Sequence, residues 1–200
     1  VVSEDNLIRD NIKLEKLQSM RPVFDRRHGS ITAATSSPLT DGAAAVLLMR
    51  ESKAKELGIE PLGYIKSYAF PALDPRENML LGNVYAIPEA LKRAELSLSD
   101  IDLLEIHEAF AAQALCNLKL FSDNEFFKKK MPNYEALGEF DELKINIWGG
   151  SLAYGHPFAA TGCRLVTQLL HGLKSVDGQY GLATACAAGG LGSAMILERT

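Results

Sequence analysis

The chain has 200 residues, 47% of them hydrophobic and 23% charged, with a formal net charge of −4. That is enough chain for a real core, and the composition is ordinary for a globular protein. The mildly acidic balance, with Lys128-Lys129-Lys130 as its one basic run, excludes nucleic acid as a general partner, and no apolar stretch approaches the roughly 18 residues of a transmembrane helix.

Residues 1–20 read as a polar, helix-compatible stretch without a clear beginning, as though continued from a longer chain. Glu4, Asp5, Arg9 and Asp10 interrupt any signal-peptide core. Residues 21–38, with Pro22, Gly29 and Pro38, predict a loop. The continuous apolar run 43–49 predicts a strand buried on both faces, with a short helix as the alternative. Residues 51–57 predict a helix stopped by Gly58 and Pro61, and 62–70 a strand with Tyr64, Lys66 and Tyr68 on one side.

A helix is expected over 87–94 with Pro88 in its first turn, then a turn at Ser99-Asp100 and a strand over 101–106. Residues 107–121 predict a helix whose apolar stripe is Phe110, Ala114, Leu115 and Leu118. Residues 122–144 read as an irregular excursion and 145–148 as short and extended. Pro157 is expected to open a helix running to Leu173, followed by strands over 180–186 and 194–197 around a glycine-rich turn. Strands alternating with helices and closing on a hairpin predict an α/β layered domain around a mixed sheet.

Three stretches place a proton-transferring side chain among small residues or at a strand end. In the run 149–157, His156 sits on a tight turn at an expected helix N-terminus, where the dipole disfavours imidazolium and keeps a neutral base. A capping or buried histidine fits that spacing equally well. Cys186 ends an expected strand before Ala187-Ala188-Gly189-Gly190, a turn whose N–H groups can face an anion. Its thiol can serve as nucleophile or proton donor, although a lone free cysteine is more often a small buried hydrophobe. His107, beside Glu108, lies at a strand end, the edge where α/β sheets hold ligands; an N-terminal capping pair is the equal alternative. Cys116 and Cys163 read as structural, His28 and His171 as surface or packing residues. The cysteines lack metal-ligand spacing, which predicts free thiols, a reducing compartment and no metal site. Ser36 and Ser37 lie in a small-residue loop of the kind that can border a ligand.

Four of these stretches, in order, resemble the C-terminal half of a thiolase: 29–37 with 41–44, His107-Glu108-Ala109-Phe110, 149–157, and 186–192. His107 stands where the family usually has Asn, and Ala-Ala-Gly-Gly replaces three glycines after Cys186. Both features, with the longer 122–144 segment, are similar to the thiolase (β) subunit of the fatty-acid β-oxidation multienzyme (trifunctional) complex. The resemblance implies a βαβαβαββ domain with a mixed sheet flanked by helices over residues 26–200, and the end of a substrate-covering loop domain over 1–25. It implies cleavage of a 3-oxoacyl-CoA by CoA through an acyl-cysteine, with coenzyme A as substrate and no separate cofactor.

On that resemblance Cys186 is the acid/base cysteine, and His156 is the base that activates the nucleophile and lines one oxyanion hole. His107 completes that hole by orienting a water. The Ala188 N–H, with Gly189 beside it, faces a second oxyanion, and Ser37 and Phe110 touch pantetheine. Pro38 departs from the family's frequent Gly. The nucleophilic cysteine is expected outside the chain, so these residues alone are expected to be inactive.

The resemblance also implies a homodimer, a hydratase/dehydrogenase α subunit as partner, and a bacterial cytoplasm, with the mitochondrial matrix as the alternative. A ketoacyl-synthase-like enzyme is the second reading, opposed by Cys186 in its glycine-rich turn. A non-catalytic assembly module is the third, in which the aromatics and lysines of 122–144 dock a partner.

Overall fold

The computed structural model describes residues 3–9 and 11–200. Four strands, Gly63–Ala69 (β1), Leu103–Ile106 (β2), Tyr180–Ala187 (β3) and Leu191–Arg199 (β4), form one sheet in the order β1-β4-β3-β2. β2 and β3 run parallel, from Leu103↔Gly181 to Ile106↔Thr184, whereas β4 is antiparallel to both β3 and β1. The sheet is therefore mixed, as expected. A lone parallel bridge joins Leu104 to Ile145, and the described sheet has four strands, one fewer than the expected βαβαβαββ pattern.

The helices are Leu14–Gln18 (α1), Glu51–Leu57 (α2), Pro75–Asn78 (α3), Gly82–Ala94 (α4), Ala111–Phe121 (α5), Asn124–Lys130 (α6), Ser151–Tyr154 (α7) and Ala159–Val176 (α8). Side chains alternate across each strand, so the sheet feeds two cores. Leu104, Ile106, Leu182 and Ile196 pack with Val84, Ile87 and Leu91 of α4. Leu103, Ala183 and Leu197 pack on the other face with Leu165, Leu169 and Leu173 of α8.

Several expected boundaries move, each for a tertiary reason. α4 begins at Gly82, so Pro88 is interior and buried. An interior proline costs about 3 kcal/mol, which the burial of Val84, Ile87 and Leu91 at about 1.5–3 kcal/mol each offsets. α5 begins at Ala111, because Phe110 is extended and bridges to Ser36. Its buried face is Gln113, Ala114, Asn117 and Phe121, with Leu118 packed against the same core, so of the expected stripe within the helix only Leu115 is exposed. α8 starts two residues after Pro157, behind a Phe158 with φ of 45°.

Two expectations fail outright. Residues 43–49 form no strand, and Leu47 and Leu48 are 76% and 70% exposed. A strand buried on both faces needs neighbours for its ladder, and among the described residues none pairs with it. Residues 122–144 are not irregular throughout: α6 is capped by Asp123, which accepts from the Phe126 N–H at 2.9 Å. Phe121 and Phe127 are buried, and the Leu137 N–H donates to the Phe121 carbonyl at 2.7 Å. The aromatics Phe121, Phe126, Phe127 and Tyr134 fold back onto the α4 core.

Candidate active site

Ligand sites of α/β sheets gather at the carboxyl ends of parallel strands. Here that edge is the end of β2 and β3. The His107 N–H extends their ladder by one bond, donating to the Thr184 carbonyl at 2.9 Å. The imidazole is 3% exposed, with Nδ1 2.8 Å from the Ser151 hydroxyl at the start of α7. Arg164 of α8 donates from Nη2 to the same hydroxyl oxygen at 2.9 Å.

His156 reaches the site by a different route. Its N–H donates to the Pro38 carbonyl at 2.8 Å, and a parallel bridge joins it to Leu39. Gly155 makes that approach feasible, since its φ is 90° and a Cβ there would lie 2.2 Å from Thr40 Cγ2. His156 Nδ1 lies 2.7 Å from the Thr161 hydroxyl. The two imidazole rings then stack at 4.2 Å between centroids, tilted by 38°.

Burial, then the charges of His156 and Arg164, hold the His107 pKa down to about 4. The His156 pKa is lowered by burial first and by Arg164 second. A neutral base was expected from a helix dipole, but α8 starts three residues later and desolvation takes its place. Both rings are neutral near pH 7.

Cys186 pairs with Gly192 in the hairpin and is 6% exposed. Burial pushes its thiol up to about 11, so it is a protonated thiol and not a resting thiolate. It borders a cavity of about 280 Å³ with Phe70, Pro71, Ala72, Leu191 and Ser193. Along β3 it stands two residues past Thr184, roughly 7 Å at strand rise. Among the described residues no hydrogen bond joins this sulfur to either imidazole. The chain itself thus brings His107 and His156 into contact, and places Cys186 at the same edge of the sheet.

Ser37 and Phe110 lie side by side: the Ser37 N–H donates to the Ala109 carbonyl at 3.0 Å, and Ser36 bridges Phe110. Ala188 and Gly189 are exposed in the hairpin turn, where Gly189 and Gly190 have φ of 94° and 79°. Cys116 is exposed on α5 and Cys163 half-buried on α8; His28 and His171 are exposed. Among the described residues no cluster of three or more His, Cys, Asp or Glu side chains is placed to hold a metal, and no helix is long and apolar enough to cross a membrane.

Sequence reasoning missed the polar residues that hold the histidines. Asn146, at φ 45°, accepts from the Ile106 N–H at 2.8 Å and donates to the Ile106 carbonyl at 3.0 Å and to Glu108 at 2.8 Å. Glu108 in turn accepts from the Leu152 N–H at 3.1 Å, so it ties the α7 loop to β2 instead of capping α5. The Gly-Gly-Ser spacing could have flagged Ser151; nothing local marks Asn146. Asn146→Ala should cost about 2–3 kcal/mol, because two buried backbone groups and a carboxylate lose their partners. An unchanged urea midpoint would show that water replaces the amide.

A family model for "Thiolase, C-terminal domain" matches residues 59–199, and one for "Thiolase, N-terminal domain" matches residues 1–52. The chain is 61% identical over 197 residues to a 3-ketoacyl-CoA thiolase of Shewanella pealeana, covering 98% of this chain and 45% of that protein. It is 59% identical over 197 residues, with the same shares covered, to a 3-ketoacyl-CoA thiolase of Serratia proteamaculans. The chain thus spans about half the length of the curated relatives it matches. Among solved structures, the Bacillus anthracis acetyl-CoA acetyltransferase superposes with a TM-score of 0.84 at 38% identity, over 98% of this chain and 45% of that one. Human mitochondrial 3-ketoacyl-CoA thiolase in complex with CoA superposes with a TM-score of 0.81 at 35% identity, over 100% and 46%. With two family models together spanning nearly all its residues and a mixed sheet that superposes on these enzymes, the chain belongs to the thiolase family.

Proposed function

We propose that this chain is the catalytic C-terminal portion of a 3-ketoacyl-CoA thiolase, which cleaves 3-oxoacyl-CoA with CoA in fatty-acid β-oxidation. The observation that carries the reading is the stacked, neutral His107–His156 pair at the same sheet edge as a buried, protonated Cys186 thiol. In this reading a cysteine from outside these 200 residues attacks the ketone carbon, and His156 takes its proton. The C–C bond breaks, the departing acetyl-CoA carbanion takes the Cys186 proton, and an acyl-enzyme remains. Cys186 thiolate then takes the proton of incoming CoA, whose sulfur attacks the acyl-enzyme; the nucleophilic cysteine leaves as thiolate and recovers its proton from His156 as the shortened acyl-CoA departs.

A thiol pushed up to about 11 suits the second half of this cycle. Its conjugate base outcompetes an ordinary thiolate, near pKa 8.5, for the CoA proton. His107 completes an oxyanion hole with His156, and the Ala188 N–H, beside Gly189, serves a second oxyanion. Ser37 and Phe110 take the pantetheine, supported by their adjacency and by the edge-on contact of Phe24 with Phe110 at 5.9 Å. Residues 1–25 would then close the loop domain over the substrate, with 26–200 as the C-terminal domain. Coenzyme A is a substrate and no further cofactor is required. The proposal extends to a homodimer in a bacterial cytoplasm, with a hydratase/dehydrogenase α subunit as partner.

The test joins this chain to the portion of the Shewanella pealeana relative that it does not match. The chimera should cleave acetoacetyl-CoA with CoA. His156→Ala and Cys186→Ser should each lower kcat by roughly 10²–10⁴-fold, the usual share of positioned acid–base groups. Malonyl-thioester decarboxylation without thiolysis would overturn the reading in favour of a ketoacyl-synthase-like enzyme. Thiolysis by these 200 residues alone, abolished by Cys186→Ser, would make Cys186 the nucleophile.

A further inference from the structure

One face of α8 reaches both catalytic-edge histidines. Thr161, Arg164 and Gln168 recur at spacings of three and four residues, so they share that face. Thr161 meets His156 Nδ1 at 2.7 Å, Arg164 meets the Ser151 hydroxyl at 2.9 Å, and Gln168 accepts from Arg164 Nη1 at 3.2 Å. Gln168 is itself fixed, donating to the Gly149 carbonyl at 2.9 Å, and the Arg164 guanidinium lies 5.5 Å from the Tyr154 ring centroid.

We infer that Arg164, acting through Ser151, locks His107 as the Nε2–H tautomer and so makes it a fixed hydrogen-bond donor. The argument is an account of protons. Ser151 is fully buried, and among the described residues its hydroxyl has two partners, Arg164 Nη2 and His107 Nδ1. A guanidinium can only donate, so the Ser151 oxygen accepts there. Were His107 Nδ1 to carry a hydrogen and donate as well, the Ser151 hydroxyl hydrogen would be orphaned in a dry site. A buried unsatisfied donor disfavours that arrangement by roughly five- to a hundredfold. With the hydroxyl donating to Nδ1, both the Ser151 hydrogen and Nδ1 are satisfied, and the ring hydrogen sits on Nε2.

His156 lacks this constraint. Its partner Thr161 meets no guanidinium, so its hydroxyl can donate or accept, and the ring can present either nitrogen. The two stacked imidazoles are thereby made unequal: one a fixed donor, the other a base free to gain and lose a proton. That division of labour rests on the thiolase reading; the tautomer of His107 does not. Arg164 and Ser151 are positioning residues, acting through His107.

Long-range ¹H–¹⁵N correlation of the ¹⁵N-histidine-labelled protein reads the tautomer directly, with four histidines in the chain and His107→Gln to identify the signal. Near pH 7.5 the pyridine-like nitrogen of His107 should be Nδ1, with Nε2–H favoured at least fivefold. Ser151→Ala, which keeps the Arg164 charge, should let both tautomers of His107 appear while leaving the His156 pattern unchanged, and Arg164→Met should likewise free the His107 tautomers. A pyrrole-like Nδ1 in the unmutated protein would overturn the inference, and so would an unaltered His107 pattern in folded Arg164→Met. Since the unmutated protein decides the tautomer, the inference stays testable if a variant fails to fold. An inactive chimera with a locked His107 would overturn the thiolase reading and leave this one standing.

Discussion

Gly192→Ala should destabilise the fold by about 3 kcal/mol or more, at the upper end of what an added methyl costs in a packed core. A Cβ at this position would lie 2.2 Å from the Gly82 carbonyl oxygen, 2.3 Å from its carbon and 2.6 Å from its Cα. All three are backbone atoms at the start of α4, so no side chain can swing aside. Relief requires lifting α4 from β4, which would pull Val84 and Ile87 off Ile196 in the main core. The reciprocal glycine is equally tight: a Cβ on Gly82 would meet the Leu191 oxygen at 2.4 Å. Gly189→Ala in the same hairpin is the control, because nothing lies within 4 Å and the cost is its φ of 94° alone, about 1–2 kcal/mol. Urea unfolding should show a clearly larger loss for Gly192→Ala. Equal midpoints for the two variants would mean that the helix and strand are not in backbone contact.

Glu105→Gln should remove a large pH dependence of stability. Glu105 lies on β2, 2% exposed, with Gln168 donating to Oε1 at 3.3 Å and Oε2 without a partner among the described residues. Burial raises its pKa from 4.5 to about 8, against the downward pull of the Arg164 charge and the Gln168 bond. The folded-state value lies above the unfolded one, so the protonated carboxyl favours the fold. That stability is complete below about pH 4.5 and is lost as pH rises through 8. The shift corresponds to as much as about 5 kcal/mol. The unmutated protein should therefore weaken relative to Glu105→Gln between pH 5 and 8.5, with little difference near pH 4.5. A gap that does not vary with pH would mean that Arg164 keeps Glu105 ionised throughout.

Local signals carried far along the chain. Helix α2 ends at Gly58, whose φ of 65° is the left-handed stop that glycine serves, and β1 and β3 lie where alternation and apolar runs placed them. The resemblance reached the mixed sheet with its flanking helices but overcounted its strands, since residues 43–49 pair with nothing among the described residues. What failed was anything decided across the sheet. Leu115 adjoins Ala114 on the apolar stripe of α5, yet the face that packs is Gln113, Ala114, Asn117 and Phe121, a choice made by the neighbouring core and not by local hydrophobicity.

Periodicity, turn chemistry and four short motifs were enough to specify a layered α/β thiolase domain and to single out His107, His156 and Cys186, since each signal resides in contiguous residues. The stacking of the two imidazoles at 4.2 Å, the Arg164–Ser151 link behind one of them and the high thiol pKa of Cys186 belong to the folded molecule alone. They depend on desolvation and on contacts between distant segments, and neither quantity exists until β2, α7, α8 and the β3–β4 hairpin have packed.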